Sequence, residues 1–179
     1  AVLARLHAAR SAAPRLLRTG SFLAEARGTI ERLASAGAEE AAALLEASER
    51  LRTAQPRRSA GAPVCLHGDF HPGQILVGDG ALQCLDFDET GMGESAYDLG
   101  YFVAHLRKLV HLGLIDAPTE ARCVGRFLTG YEAAGGSLPT WEILAWHRHL
   151  TLLRMALNSL KHLEAGWPET IRFYLERTS

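Results

Sequence analysis

Apolar residues recur at helical spacing through residues 1–53, a stretch rich in Ala, Leu, Glu and Arg. Gly20-Ser21 and Gly37 interrupt it, which predicts two or three helices. The periodicity is lost over 54–63 (AQPRRSAGAP), where Pro, Gly and Ser mark a connecting loop. Val64-Cys65-Leu66 predicts a short buried strand that runs into HGDFHPG. The segment ILVGDGALQCLDF then reads as two strands joined by Asp79-Gly80, a pair that tolerates the positive φ of a tight hairpin turn. Gly91 and Gly93 predict one more turn. From Ser95 onward the period is helical again. Ser95 with Asp98 three residues later resembles a capping box, ahead of the apolar face Leu99, Phe102, Val103, Leu106 and Val110. Further helices are predicted over 118–134, 139–164 and 168–177, separated by Gly135-Gly136 and by Gly166-Trp167-Pro168. The pattern is that of an α+β fold, mostly helical, around one small antiparallel β-hairpin.

Composition changes this picture little. The 179 residues suit one domain with a proper core, 47% of them are apolar, and the formal net charge is −1. Acids and bases are mixed along the chain, so neither a nucleic-acid footprint nor an acidic solvating tail is predicted. No apolar run approaches the roughly 18–20 residues that cross a bilayer, and no signal-peptide pattern is present, so no membrane partner is expected. Cys65, Cys84 and Cys123 lack CxxC spacing. Cys65 and Cys84 fall in apolar strands and read as small buried hydrophobes of a reducing, cytoplasmic protein.

The chemistry is concentrated in His67-Gly68-Asp69-Phe70-His71-Pro72-Gly73-Gln74 and, after the hairpin, in Leu85-Asp86-Phe87-Asp88. A strand ends in a polar loop, and the loop feeds a hairpin whose return strand ends in paired carboxylates. Folding the hairpin back brings Asp86 toward Asp69 and Gln74. Two carboxylates and an amide at one end of a sheet make an oxygen-rich pocket suited to Mg²⁺, which takes few protein ligands besides phosphate oxygens.

These motifs resemble those of the aminoglycoside phosphotransferase and choline kinase-like family, a relative of the protein kinases. HGDFHPGQ matches its catalytic loop H-x-D-x-x-x-x-N, and LDFDETGMGESAYDLG matches its metal-binding segment and the helix start that follows. The opening LARLHAAR is similar to the first helix of the family's C-terminal lobe. The resemblance implies a protein-kinase-like C-terminal lobe in which the hairpin carries the catalytic and metal-binding loops. It implies Asp69 as catalytic base toward a small-molecule hydroxyl, with Gln74 and Asp86 holding Mg²⁺ and, through it, the phosphates of ATP. His67 would be architectural, and His71 would touch substrate or shape the loop. Asp88 would support Asp86 or assist with the metal. Asp98 has two readings: it steadies its helix end through the cap and dipole or, as the resemblance implies, points back and hydrogen-bonds the catalytic-loop backbone. Gln74 stands where Asn is usual, a variant found in proteins resembling maltokinases.

A kinase of this kind also needs an N-terminal lobe with a Gly-rich hairpin and a strand lysine. The two lysines here, Lys108 and Lys161, fall in predicted helices, and no Gly-rich hairpin precedes residue 64. The chain opens at Ala1 in mid-pattern. It therefore reads as residues 1–179 of a C-terminal lobe, lacking its nucleotide-binding partner lobe and inactive alone. Two other readings stay open. One is a degenerate kinase-like module that binds a ligand or partner without catalysis; the other is a hydrolase metal cluster of His67, Asp69 and His71, which share one face of an extended segment.

Overall fold

The computed structural model describes residues 2–9, 19–35, 40–56, 62–162 and 165–175. Its contacts divide the chain into two units, Ala1–Leu17 with Arg57–Arg148 and Arg18–Pro56 with His149–Ser179. The predicted break at Gly37 lies outside the described residues. Among those described, no helix is long and apolar enough to cross a membrane.

The first unit carries the motifs. Helix α1 (Val2–Ala8) precedes strand β1 (Val64–Leu66), a 3-10 turn at Pro72–Gln74, and strands β2 (Ile75–Gly78), β3 (Ala81–Cys84) and β4 (Gly91–Gly93). Helices α4 (Ala96–His111) and α5 (Ala117–Ala133) follow, then the start of α6 (Trp141–Lys161). The numbers α2 (Thr19–Ser35) and α3 (Ala41–Thr53) belong to helices of the second unit. The β2–β3 hairpin is the predicted one: Ile75 pairs with Cys84 and Gly78 with Ala81, and Asp79 and Gly80 both take positive φ.

Gly91 and Gly93 do not form the predicted turn. They are the ends of β4, which pairs antiparallel with β1 through Val64↔Gly93, Cys65↔Met92 and Leu66↔Gly91. Glycine carries no strand propensity, so only the long-range pairing reveals this strand. Cys65 is buried as expected, whereas Cys84 is only half-buried, because the hairpin packs one face at most. All three cysteines are free.

The core of this unit gathers Leu3, Ala4, Phe70, Leu99, Tyr131 and Leu144, with Ile75, Phe102 and Phe127 packed against it. Phe70, inside the catalytic-loop motif, stacks on Phe102 at 5.4 Å, so the loop is pinned by its one apolar residue. Helix α5 begins where Asp116 accepts a hydrogen bond from the Thr119 amide at 2.8 Å, with Pro118 in its first turn. Where α4 meets the start of α6, a Cβ on Gly100 would lie 2.7 Å from Cβ of His147, so only glycine permits this approach.

Among the described residues, the elements of the second unit are helices: α2, α3, the remainder of α6 and α7 (Trp167–Leu175). Buried residues fall at three- and four-residue intervals, Leu23, Ala26 and Ile30 on α2 and Leu44, Ala47 and Leu51 on α3. Helix α2 packs on α3, and α3 on α7. The backbone of α2 runs helically through Gly20-Ser21, where the sequence predicted a break.

Candidate active site

The site forms where the two sheets of the first unit end. Strand β1 stops at Leu66 and the chain turns sharply at Gly68, whose φ of +87° favours glycine. A side chain there would also collide with the Glu89 carbonyl. The turn exposes Asp69, then buries Phe70, and His71 opens the 3-10 turn that ends at Gln74. At the mouth of the hairpin the Leu85 amide donates to the Gln74 carbonyl at 2.9 Å, one step beyond the last strand pair. That bond sets Gln74 and Asp86 side by side.

Asp69, Gln74 and Asp86 do meet. The Gln74 amide nitrogen donates to Asp69 Oδ2 at 3.2 Å and lies 3.4 Å from Asp86 Oδ2. Its positive hydrogens thus sit between two carboxylates, where the electrostatic demand is for a cation. Turned over, the same amide would present an oxygen. The donor set is all hard oxygen and includes few protein groups, which fits Mg²⁺ held mainly by phosphates. Asp86 occupies the left-handed region at φ +57°, a conformation rare for residues other than Gly, Asn and Asp. The Asp88 amide lies 3.5 Å from Asp86 Oδ1. Asp88 therefore contributes its backbone to Asp86, while its carboxylate is exposed.

His67 is fully buried, and both ring nitrogens are engaged. Nε2 donates to the Leu85 carbonyl at 2.8 Å, and Nδ1 faces the Asp69 amide at 3.4 Å. It ties the root of the loop to the end of β3. His71 Nδ1 accepts from the Gly73 amide at 3.1 Å, and its Nε2 lies 3.6 Å from Asp69 Oδ2. Burial holds the His71 pKa below the usual histidine value, against the opposing pull of Asp69. No group of three His, Cys, Asp or Glu among the described residues is placed to hold a metal ion. With His67 committed to a carbonyl, the cluster of His67, Asp69 and His71 is not formed.

The capping-box reading of Ser95 and Asp98 is corrected. Ser95 takes helical backbone angles and makes no side-chain cap bond. The Asp98 carboxylate, wholly buried, turns back to the loop that carries Asp69 and accepts from the His67 amide at 2.8 Å and the Gly68 amide at 3.0 Å, as the family resemblance implied. Two groups unremarked in the sequence complete this anchor. His7 Nε2 donates to Asp98 Oδ2 at 3.1 Å, so in the neutral ring Nδ1 accepts from the Tyr131 hydroxyl at 2.8 Å. Burial raises the Tyr131 phenol above its ordinary pKa, keeping it a donor. The signal for His7 was a polar residue on the buried face of α1, beside Leu3 and Ala4.

A sequence model of the phosphotransferase enzyme family (APH) matches residues 1–147. Among curated proteins, none matches the chain in sequence. Solved structures do. A glucosamine kinase in complex with glucosamine, ADP and inorganic phosphate is 22% identical with a TM-score of 0.56, over 89% of this chain and 44% of that one. A second glucosamine kinase structure is 23% identical, with a TM-score of 0.58 over 90% and 44%. An amicoumacin kinase in complex with AMP-PNP and Ca²⁺ is 19% identical, with a TM-score of 0.55 over 79% and 45%. The fold is that of these kinase-like proteins, and the chain spans under half of their length.

Proposed function

Since the chain belongs to the phosphotransferase enzyme family, we propose that it is the acceptor-side, C-terminal lobe of an enzyme that moves the γ-phosphoryl group of ATP to a hydroxyl of a small molecule. The observation that carries this reading is the meeting of Asp69, Gln74 and Asp86 at the ends of two sheets. Asp69 takes the proton of the acceptor hydroxyl. Asp86 and Gln74 would hold Mg²⁺, which when bound would neutralise charge on the phosphates. Asp98 and His67 keep the loop in place so that the Asp69 carboxylate needs no rearrangement to act. An amino sugar is the acceptor class we favour, because one structural neighbour binds glucosamine. The free cysteines suit a reducing cytoplasm. A nucleotide-covering lobe elsewhere in the protein completes the enzyme, and residues 1–179 alone do not transfer phosphate.

The test is phosphoryl transfer from Mg-ATP by the intact protein to glucosamine, an aminoglycoside and choline, with D69N as control. Transfer to one of them that D69N abolishes supports the reading; transfer that survives D69N overturns the role of Asp69. Gln74 in place of Asn favours a second reading, a ligand-binding module without catalysis. Calorimetry separates the two: Mg²⁺-dependent nucleotide binding by the intact protein that is lost in D86N supports the enzyme, and no metal-dependent nucleotide binding supports the module.

A further inference from the structure

We propose that His105 on α4 is a positioning residue that acts through His71 to fix the aim of the Asp69 carboxylate. The inference rests on the reading of Asp69 as the base. The imidazoles of His71 and His105 stack with centroids 4.5 Å apart and planes 12° from parallel. Tyr101, one turn before His105, lies 4.6 Å from it and 6.4 Å from His71, closing a three-ring cluster.

Hydrogen-bond partners dictate the proton positions. The Tyr101 carbonyl can only accept, so His105 Nδ1 donates to it, at 3.0 Å, and the ring is locked to its own helix. The Gly73 amide can only donate, so His71 Nδ1 accepts. The neutral His71 ring therefore carries its proton on Nε2, the nitrogen that faces Asp69 Oδ2. Burial pushes His105 down to about 4, with its bond to the Tyr101 carbonyl opposing, so both rings are neutral near pH 7 and stack without charge repulsion.

The seat is also shaped for the ring. A Cβ on Gly73 would lie 2.9 Å from Cε1 of His71. His71 thus has a fixed neighbour on one face, one at each nitrogen, and a glycine below. One face of each imidazole is spent on the other, which argues for a brace rather than a platform for a flat ligand. Without the His105 face, rotation of His71 would turn its Nε2 hydrogen away from the Asp69 carboxylate, which it faces at 3.6 Å as an electrostatic neighbour.

The experiment has two arms. In the first, ¹⁵N-histidine NMR of the chain reads the His71 tautomer. Wild type and H105F, which keeps a flat ring, should show protonated Nε2 and unprotonated Nδ1, and H105L should show an averaged mixture. In the second, the intact protein is assayed with Mg-ATP and glucosamine. H105L should lower kcat about tenfold by misaiming the base, with KM for ATP changed by less than about twofold, and H105F should restore most of the rate. In an H71A background H105L should cost nothing further. G73A should reproduce H105L by crowding the Cε1–Nδ1 edge of the ring, and it carries the test if H105L does not fold. Protonation of His71 at Nδ1 in wild type, equal losses in H105F and H105L, or an undiminished H105L effect without His71 would each overturn the proposal. If wild type leaves glucosamine untouched, the acceptor reading fails, and the tautomer decides the brace by itself.

Discussion

The two small sheets of the site-bearing unit are both two-stranded and antiparallel, yet their strands are brought together differently. In β2–β3 the partners are joined by a two-residue turn, and the faces are open: Val77 is 79% and Leu76 52% exposed. In β1–β4 the partners lie some two dozen residues apart along the chain, and Cys65 and Leu66 are buried. The hairpin presents Gln74 and Asp86 at its mouth, while the buried sheet roots the loop of Asp69 and, through Asp98, ties it to α4. On the proposed function, one sheet offers ligands, and the other supplies the fixed frame against which they are held. Ladder bonds alone would make the two look equivalent; burial separates them.

The sharpest test of this division is D69N. It should reduce phosphoryl transfer by roughly 10²–10⁴-fold, the usual contribution of a general base, while the melting temperature of the unit barely moves. A large loss of stability would mean that Asp69 belongs to the frame. Next comes Leu66→Ala in the buried sheet, which should cost about 2–5 kcal/mol in urea unfolding by leaving a cavity in the core. Next is His105 on α4, whose pKa in the folded chain is lowered to about 4 by burial. The unfolded chain then binds the extra proton between about pH 6.5 and 4, so stability is full above that window and declines as pH falls through it, by at most about 3 kcal/mol. H105F should flatten this acid slope, leaving the smaller one from His71, whose shift has the same sign. Smallest of all should be Val77→Thr on the hairpin, within about 0.5 kcal/mol, as expected for an exposed position. A loss there as large as that of Leu66→Ala would erase the distinction between the two sheets.

Legibility in the sequence follows the same line. Whatever depends on neighbours along the chain could be read: the helices by their period, the hairpin by Asp79-Gly80, and the convergence of Asp69, Gln74 and Asp86 by the fold-back of that hairpin. Whatever depends on distant partners could not. Strand β4 is Gly-Met-Gly and has no local strand signal. Asp98 sits three residues after a serine, which imitates a cap; the family resemblance implied its bonds to the loop amides, but no local pattern announced its further partner His7, 91 residues away. His105 looks like one more polar residue of α4 until His71 is laid over it. The break expected at Gly20-Ser21 was overridden because the α2 face of Leu23, Ala26 and Ile30 is buried, and burial outweighs about 1 kcal/mol of glycine propensity.

The left-handed backbone at Asp86 limits what can replace it. Asparagine and glycine, the residues that share this conformation with aspartate, are each one base change from an aspartate codon. Either would discard the negative charge and keep the turn. If Asp86 holds the metal as proposed, extinction of chemistry and survival of architecture are separated here by a single mutational step, and a lineage can drift into a well-folded, silent descendant without passing through a misfolded one.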